Sequence, residues 1–357
     1  MTAASSTEPE REATNGSAPF LEIRNLVKDY PVSRGALLQR QVGTVKAVSD
    51  VSFSVAQGET FGLVGESGCG KTTLARCCVA LEPVTSGHVL VDGEDVTTLH
   101  GRRLRHKRRD MQLMFQDPYS SLDPRMRVGA ILREPLQIQR IGTRVERTAR
   151  VAELLRDVGL PPSAVERFPH EFSGGQRQRV GLARALALNP KLGVADEPVS
   201  ALDVSIRSQL LNLMNRLQDR LRLTYVVISH DLSVVKYVAD RIGVMYLGKL
   251  VEIGSGDDIY RRPAHPYTAG LVSAIAVPDP EVERRKRGVA VAGELPSATD
   301  PPSGCRYRTR CPRAQDLCTA EEPPLRRFGP GHRAACHFPL QPPAELQSHA
   351  EPAATPR

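Results

Sequence analysis

From Leu21 to about Gly254, short β-branched runs alternate with stretches of helical period. This is the pattern of an α/β layer fold with a mainly parallel sheet. Val51, Phe53 and Val55 alternate with serines and predict a half-buried strand that ends at a Gln57-Gly58 turn. TFGLV at 60–64 and TYVVIS at 224–229 are continuous runs, as expected of strands covered on both faces. After Asp203, Ile206, Leu210, Leu213, Met214 and Leu217 share one helical face, which predicts a helix packed on the sheet.

Between Asp117 and Leu188 the chain becomes Arg-rich and helical in period, as in RVERTARVAELLRDVGL. A helical insertion over about 117–187 is expected. Beyond Ser255 proline becomes frequent and four cysteines fall between Cys305 and Cys336. The expected division is a disordered leader at 1–19, an α/β domain at 20–255, a smaller extension at 256–338 and a disordered Pro/Ala-rich tail at 339–357.

The 357 residues include 28 Gly and 28 Pro, too few for a low-complexity chain, and no stretch approaches the ~18 apolar residues of a membrane span. The net charge of +8 permits attraction to nucleic acid or an anionic membrane face. With no Trp and 4% aromatic residues, stacking platforms for single strands are lacking, and no nucleic-acid partner is expected. MTAASSTEPEREATNGSAPF has acidic residues and no apolar core, so it reads as a leader rather than a secretory signal. A cytosolic setting follows, in which the seven cysteines are thiols or metal ligands rather than disulfides. The run RRLRHKRRD at 102–110 reads first as a solvated face and second as a surface for anionic headgroups.

GESGCGKTT, Gly65 to Thr73, follows TFGLV and precedes the helix-compatible TLARCCVAL. It fits G-x-x-x-x-G-K-[ST] in the required strand-to-helix context. Gly65, Glu66, Ser67, Gly68, Cys69 and Gly70 form a loop whose amides can face the phosphates of a nucleotide, and the next helix adds its positive end. Lys71 adds a charge, while the hydroxyl of Thr72, followed by Thr73, is placed to ligate Mg²⁺. In KLGVADEP, apolar residues lead into Asp196 and Glu197. Asp196 is expected to hold Mg²⁺ and Glu197 to orient or deprotonate the hydrolytic water.

FSGGQRQR at Phe172 to Arg179 resembles the signature motif of the ATP-binding cassette (ABC) family. The order along the chain is also similar: P-loop, Gln116 in MFQDP, Ser173-Gly174-Gly175-Gln176, Asp196-Glu197, SALD at 200–203, then His230. The resemblance implies a P-loop NTPase cassette that binds ATP and Mg²⁺, with Gln116 as a further Mg²⁺ ligand and His230 assisting hydrolysis. It also implies that Tyr30 stacks on adenine, and that Ser173, Gly174, Gly175 and Gln176 complete the ATP site of an opposing subunit. Phe172 stands where the family usually has Leu, Val199 where it has Thr, and Gly193 is unusual in a buried strand.

VKDYPVSRGALLQRQVGTVKAV, FQDPYSSLDPRMRVG, HPYTAGLVSAI, GCRYRTRCP and ACHFP resemble the oligopeptide/dipeptide importer ATPases. That resemblance implies a peripheral protein at the cytoplasmic face of the membrane. Its partners would be a second, non-identical ATPase subunit, two permease subunits and an extracellular or periplasmic solute-binding protein. The segment after Gln116 would reach a permease helix. A soluble ABC ATPase acting on ribosomes or DNA is the alternative. Such proteins usually carry two cassettes or a long coiled-coil insertion.

Cys305, Cys311, Cys318 and Cys336 are spaced C-x5-C-x6-C-x17-C. Four thiolates suit an iron-sulfur cluster or a structural zinc, and four reduced thiols without metal remain open. The spacing lacks the C-x2-C of a zinc ribbon, which favours iron-sulfur, as the importer resemblance also implies. His332 and His337 are candidate accessory ligands. Cys69, Cys77 and Cys78 read as small buried residues.

Overall fold

The computed structural model describes residues 18–34, 40–115, 121–200, 202–275 and 293–341. Its strands are β1 (Leu21–Arg34), β2 (Arg40–Val55), β3 (Thr60–Val64), β4 (Ser86–Val91), β5 (Glu94–Asp95), β6 (Met111–Met114), β7 (Leu192–Asp196), β8 (Thr224–Ser229), β9 (Arg241–Tyr246), β10 (Lys249–Ser255), β11 (Leu325–Gly329) and β12 (His332–Ala335). A smaller antiparallel sheet has the order β2-β1-β4-β5, and a larger sheet the order β11-β12-β10-β9-β3-β8-β7-β6. The β9-β3-β8-β7-β6 portion is parallel throughout.

β3 and β8 are buried at every residue, because helices cover both faces of the parallel portion. Side chains alternate across it. Val194, Val226 and Ile228 point to the face packed by Leu74, Ala75 and Cys78 of helix Lys71–Cys78. Ala195, Tyr225 and Val227 point to the opposite face, which holds Leu210, Leu213, Met214 and Leu217 of helix Val204–Leu221. Each large aliphatic side chain so buried contributes about 1.5–3 kcal/mol of transfer free energy. Gly193 pairs with Tyr225 across β7 and β8, and a Cβ there would stand 2.6 Å from that ring. The glycine that is unusual in sequence makes room for a buried aromatic.

Helices Val128–Ile138, Arg144–Asp157 and Gly174–Ala185 fall within the insertion. Their Leu132, Leu154, Leu155 and Val180 share a core with Phe172. Thr143 and Glu146 form a reciprocal cap that starts the second of them, which satisfies two of its terminal amides.

The larger sheet runs on past residue 255. β12 pairs with β10 through Glu252 opposite Ala334 and Ile253 opposite Arg333, and β11 pairs with β12. Tyr246 of β9 meets Tyr267 and Tyr307 at ring-centroid distances of 4.7 and 5.2 Å. The extension is thus built onto the edge of the α/β sheet. Residues 1–17 and 342–357, within the expected leader and tail, lie outside the described residues.

Candidate nucleotide site

The parallel register brings Val64 beside Ser229 and Asp196 beside Ile228. Three strand ends therefore open side by side: the P-loop after β3, Glu197 after β7 and His230 after β8. Ligands bind at this edge of an open α/β sheet because the loops and helix N-termini converge there.

The loop after β3 needs its glycines. A Cβ on Gly65 would lie 2.1 Å from the Met245 carbonyl oxygen, and one on Gly70, at φ +106°, would lie 2.0 Å from that of Ala47. The backbone can follow this path only without side chains. Helix Lys71–Cys78 starts at Gly70 with no side-chain cap, an arrangement that leaves its positive end to an anion. Lys71 is 5% exposed and its Nζ donates to the Gly65 and Glu66 carbonyls at 2.7 and 2.8 Å. Ser67 and Gly68 are exposed at the tip, and Thr73 is half-buried.

Thr72 Oγ1 donates to Asp196 Oδ1 at 3.2 Å. Asp196 is buried, and that burial raises its carboxyl above the ordinary range against the pull of the Thr72 hydrogen bond. A carboxylate in this state favours a nearby cation. Thr72 and Asp196 offer two oxygen donors of the kind a divalent ion takes, and among the described residues no three His, Cys, Asp or Glu side chains are grouped to hold a metal by themselves.

Glu197 sits at φ +48°, and its N–H donates to the Ile228 carbonyl at 2.9 Å. Its Oε1 lies 3.1 Å from His230 Nδ1. Tyr30 is half-buried on β1, with Lys28 Nζ 4.6 Å from its ring centroid. Gln116 lies outside the described residues, as does Ala201 of the SALD stretch.

Ser173 and Gln176 belong to the helical insertion. The Gln176 N–H donates to Ser173 Oγ at 3.3 Å, and the Ser173 N–H to Gln176 Oε1 at 3.1 Å. This reciprocal cap opens helix Gly174–Ala185. A Cβ on Gly175 would come within 2.4 Å of Ile206, so the glycine lets this helix start close to helix Val204–Leu221.

The ABC transporter family matches residues 48–200, and the oligopeptide/dipeptide transporter C-terminal region matches residues 251–318. A provisionally named peptide import ATP-binding protein of Brucella ovis is 52% identical over 318 residues, which are 89% of this chain and 97% of that protein. The chain belongs to the ABC transporter family. The cassette also resembles the oligopeptide transport ATP-binding protein AppF of Bacillus subtilis, at 49% identity over 320 residues, 89% of this chain and 97% of AppF. Among solved structures, the dimeric cassette MJ0796 bound to ADP and Pi gives a TM-score of 0.58 at 28% identity, over 66% of this chain and 98% of that one. CbiO1 of Clostridium perfringens, part of the ABC transporter complex CbiONQ, gives 0.59 at 23% identity over 69% of this chain and 92% of that one. At that identity the likeness is one of fold. The cassette is an ATP-binding ATPase, and among its described residues no helix is long and apolar enough to cross a membrane.

The four cysteines of the metal expectation lie in the C-terminal extension. Among these four residues, the Cys305 N–H donates to the Cys318 carbonyl at 2.8 Å. The thiols are free and not arranged as a ligand set. Burial pushes the Cys305 thiol up to about 11 and that of Cys336 to about 12. His332 Nε2 lies 2.8 Å from Glu252 Oε1, and His337 Nε2 lies 3.0 Å from the Glu321 carbonyl. The expected iron-sulfur cluster is not supported by this arrangement.

Sequence reading also missed residues that touch the P-loop. Arg310 Nη1 and Nη2 donate to the two carboxylate oxygens of Glu66 at 2.7 and 3.0 Å, and the Glu66 N–H donates to Tyr267 Oη at 3.0 Å. No local signal announces a pair so far apart in the chain.

Proposed function

We propose that this ATPase powers import of peptides or related small solutes through a membrane permease. The observation that carries the proposal is the joining, in one chain, of an ABC cassette with a C-terminal region of the oligopeptide/dipeptide transporter type. The names of the Brucella and Bacillus relatives agree with it.

In this reading the loop amides and Lys71 bind the β- and γ-phosphates. Thr72 and Asp196, with Gln116, hold Mg²⁺, which when bound neutralises phosphate charge. Glu197 accepts a proton from, or orients, the attacking water, and His230 keeps its carboxylate aimed at the site. Tyr30 stacks on adenine. Ser173, Gly174, Gly175 and Gln176 face the γ-phosphate of an opposing subunit through the N-terminus of their helix, so the working unit is a head-to-tail pair of ATPase chains, each pair on two permease subunits supplied by a solute-binding protein. Residues 20–255 and 256–338 act as cassette and extension.

The test is affinity purification of the full chain from membranes. A permease pair and a second ATPase should copurify, and vesicles containing the complex should take up peptide only with MgATP and binding protein. Copurification with ribosomes or DNA and no permease would overturn the proposal.

A further inference from the structure

Glu66 is the acidic member of a loop that otherwise offers positive groups. Its backbone carbonyl accepts from Lys71 Nζ, so the residue that carries this carboxylate belongs to the phosphate-binding loop itself. A free carboxylate there would repel a polyanion and compete for Lys71. The structure does not leave it free. Arg310 meets it with both arms of the guanidinium fork, the geometry that matches a carboxylate best. The Arg310 side chain is 6% exposed and lies over the Tyr246 ring, 5.8 Å from its centroid.

The extension also touches this loop through Tyr267 and braces the adjoining turn through Arg306. Tyr267, buried in helix Pro266–Ser273, accepts the Glu66 N–H. Arg306 donates to the Leu247 carbonyl and to Ser49 Oγ, while the neighbouring Gly248 N–H donates to the Cys69 carbonyl at 2.8 Å. Tyr307, which lies between these two arginines in the chain, is 1% exposed and packs on both Tyr246 and Tyr267. Arg306 and Arg310 are therefore carried on a fixed platform.

We propose that Arg310 is a positioning residue for ATP binding: by holding and neutralising the Glu66 carboxylate, it keeps the P-loop open to the nucleotide phosphates and makes the C-terminal extension a determinant of ATP affinity. The inference rests on reading Gly65–Thr73 as the phosphate site. It predicts that the value of Arg310 depends on the charge of Glu66, whereas a role confined to supporting the fold does not.

The experiment measures the MgATP dissociation constant of the full chain by titration calorimetry for wild type, Arg310→Gln, Glu66→Gln and the double variant. Arg310→Gln should weaken binding about tenfold, and in the Glu66→Gln background less than about threefold, because the carboxylate it restrains is gone. Should Arg310→Gln not fold, Arg310→Lys in the same two backgrounds carries the test. It keeps the charge without the fork and should cost about threefold beside Glu66 and under about 1.5-fold in the Glu66→Gln background. Unchanged affinity, or an equal loss in both backgrounds, would overturn the positioning role. Lys71→Ala separates the two readings. If wild type binds and Lys71→Ala does not, the phosphate site stands and Arg310 is judged on its own cycle; if wild type fails to bind MgATP, both fall.

Discussion

His230 Nδ1 lies 3.1 Å from Glu197 Oε1, joining the residues that follow two adjacent parallel strands. Glu197 reaches this place at φ +48°, a left-handed conformation that costs a non-glycine residue on the order of 1 kcal/mol. The hydrogen bond from its N–H to the Ile228 carbonyl helps hold it. Strain kept at the end of a buried strand is consistent with a working side chain.

Glu197→Gln should retain the shape and lose the base. ATP hydrolysis by the assembled complex should fall by about 10²–10⁴-fold while MgATP affinity changes less than about twofold. Phosphate release and equilibrium binding on the same preparation check this. Normal turnover would remove Glu197 from the catalytic role.

Lys71→Ala should act on binding instead. Wild type should gain thermal stability from MgATP, since a ligand that binds only the folded state stabilises it by mass action. The variant should melt at the same temperature with and without nucleotide. A preserved MgATP-dependent rise would show that Lys71 is dispensable for phosphate recognition.

The buried strands, the P-loop and Asp196-Glu197 are legible in sequence because each is written in contiguous residues of fixed period or spacing. Gly193 is visible only as an anomaly, since its reason, the ring of Tyr225, lies on another strand. The Arg310–Glu66 pair and the three bonds received by buried Glu252 from Ala264, His265 and His332 are products of tertiary folding and have no local signature. The cysteines are legible only as a set of four thiols, because spacing counts thiols but does not aim their sulfur atoms. The basic run 102–110 was half legible. Arg102, Arg103, Arg105 and His106 are exposed, but Lys107 pairs with Glu94, and Arg108 and Arg109 bond Ala80 and Gln139.

His265 supplies a pH prediction. Its Nδ1 accepts the Tyr267 N–H at 3.0 Å, so that nitrogen carries no proton, and burial pushes its pKa down to about 4 against the opposing Glu252 carboxylate. A depressed folded-state pKa means that the unfolded chain takes the proton first. The stability from neutral His265 is whole above its ordinary value of 6.5 and is lost as pH falls from there through about 4, an amount on the order of 3 kcal/mol. Urea unfolding of wild type and His265→Asn from pH 7 to 4 checks it. The variant has a side chain that can still cap the helix and should lose less stability across that window; equal slopes would show that His265 contributes nothing to the acid sensitivity.

Coupling to a permease calls for a different pair of variants than sequence suggests. Tyr119 and Ser120 lie outside the described residues, but Leu122 is 2% exposed within the core of the helical insertion. Leu122→Ala should cost about 2–5 kcal/mol and damage ATP binding and transport together, which says nothing about coupling. Phe115 and Ile138 are 44% and 60% exposed and, with Glu134 and Arg184, line a groove of about 260 Å³. Arg184 braces it by donating to the Ser121 carbonyl and Glu134 at 2.7 and 3.0 Å. In the importer reading this groove takes a permease helix. Phe115→Ala with Ile138→Ala removes apolar contacts available to a partner while leaving the core intact. The pair should leave the melting temperature and MgATP binding of the isolated chain near wild type, and reduce peptide uptake per ATP hydrolysed in vesicles about tenfold or more, as loss of interface anchors does. Uptake and hydrolysis measured in the same vesicles decide the matter. An unchanged ratio would mean that the permease docks elsewhere, and a fall in MgATP binding would mean that these side chains serve the nucleotide site instead.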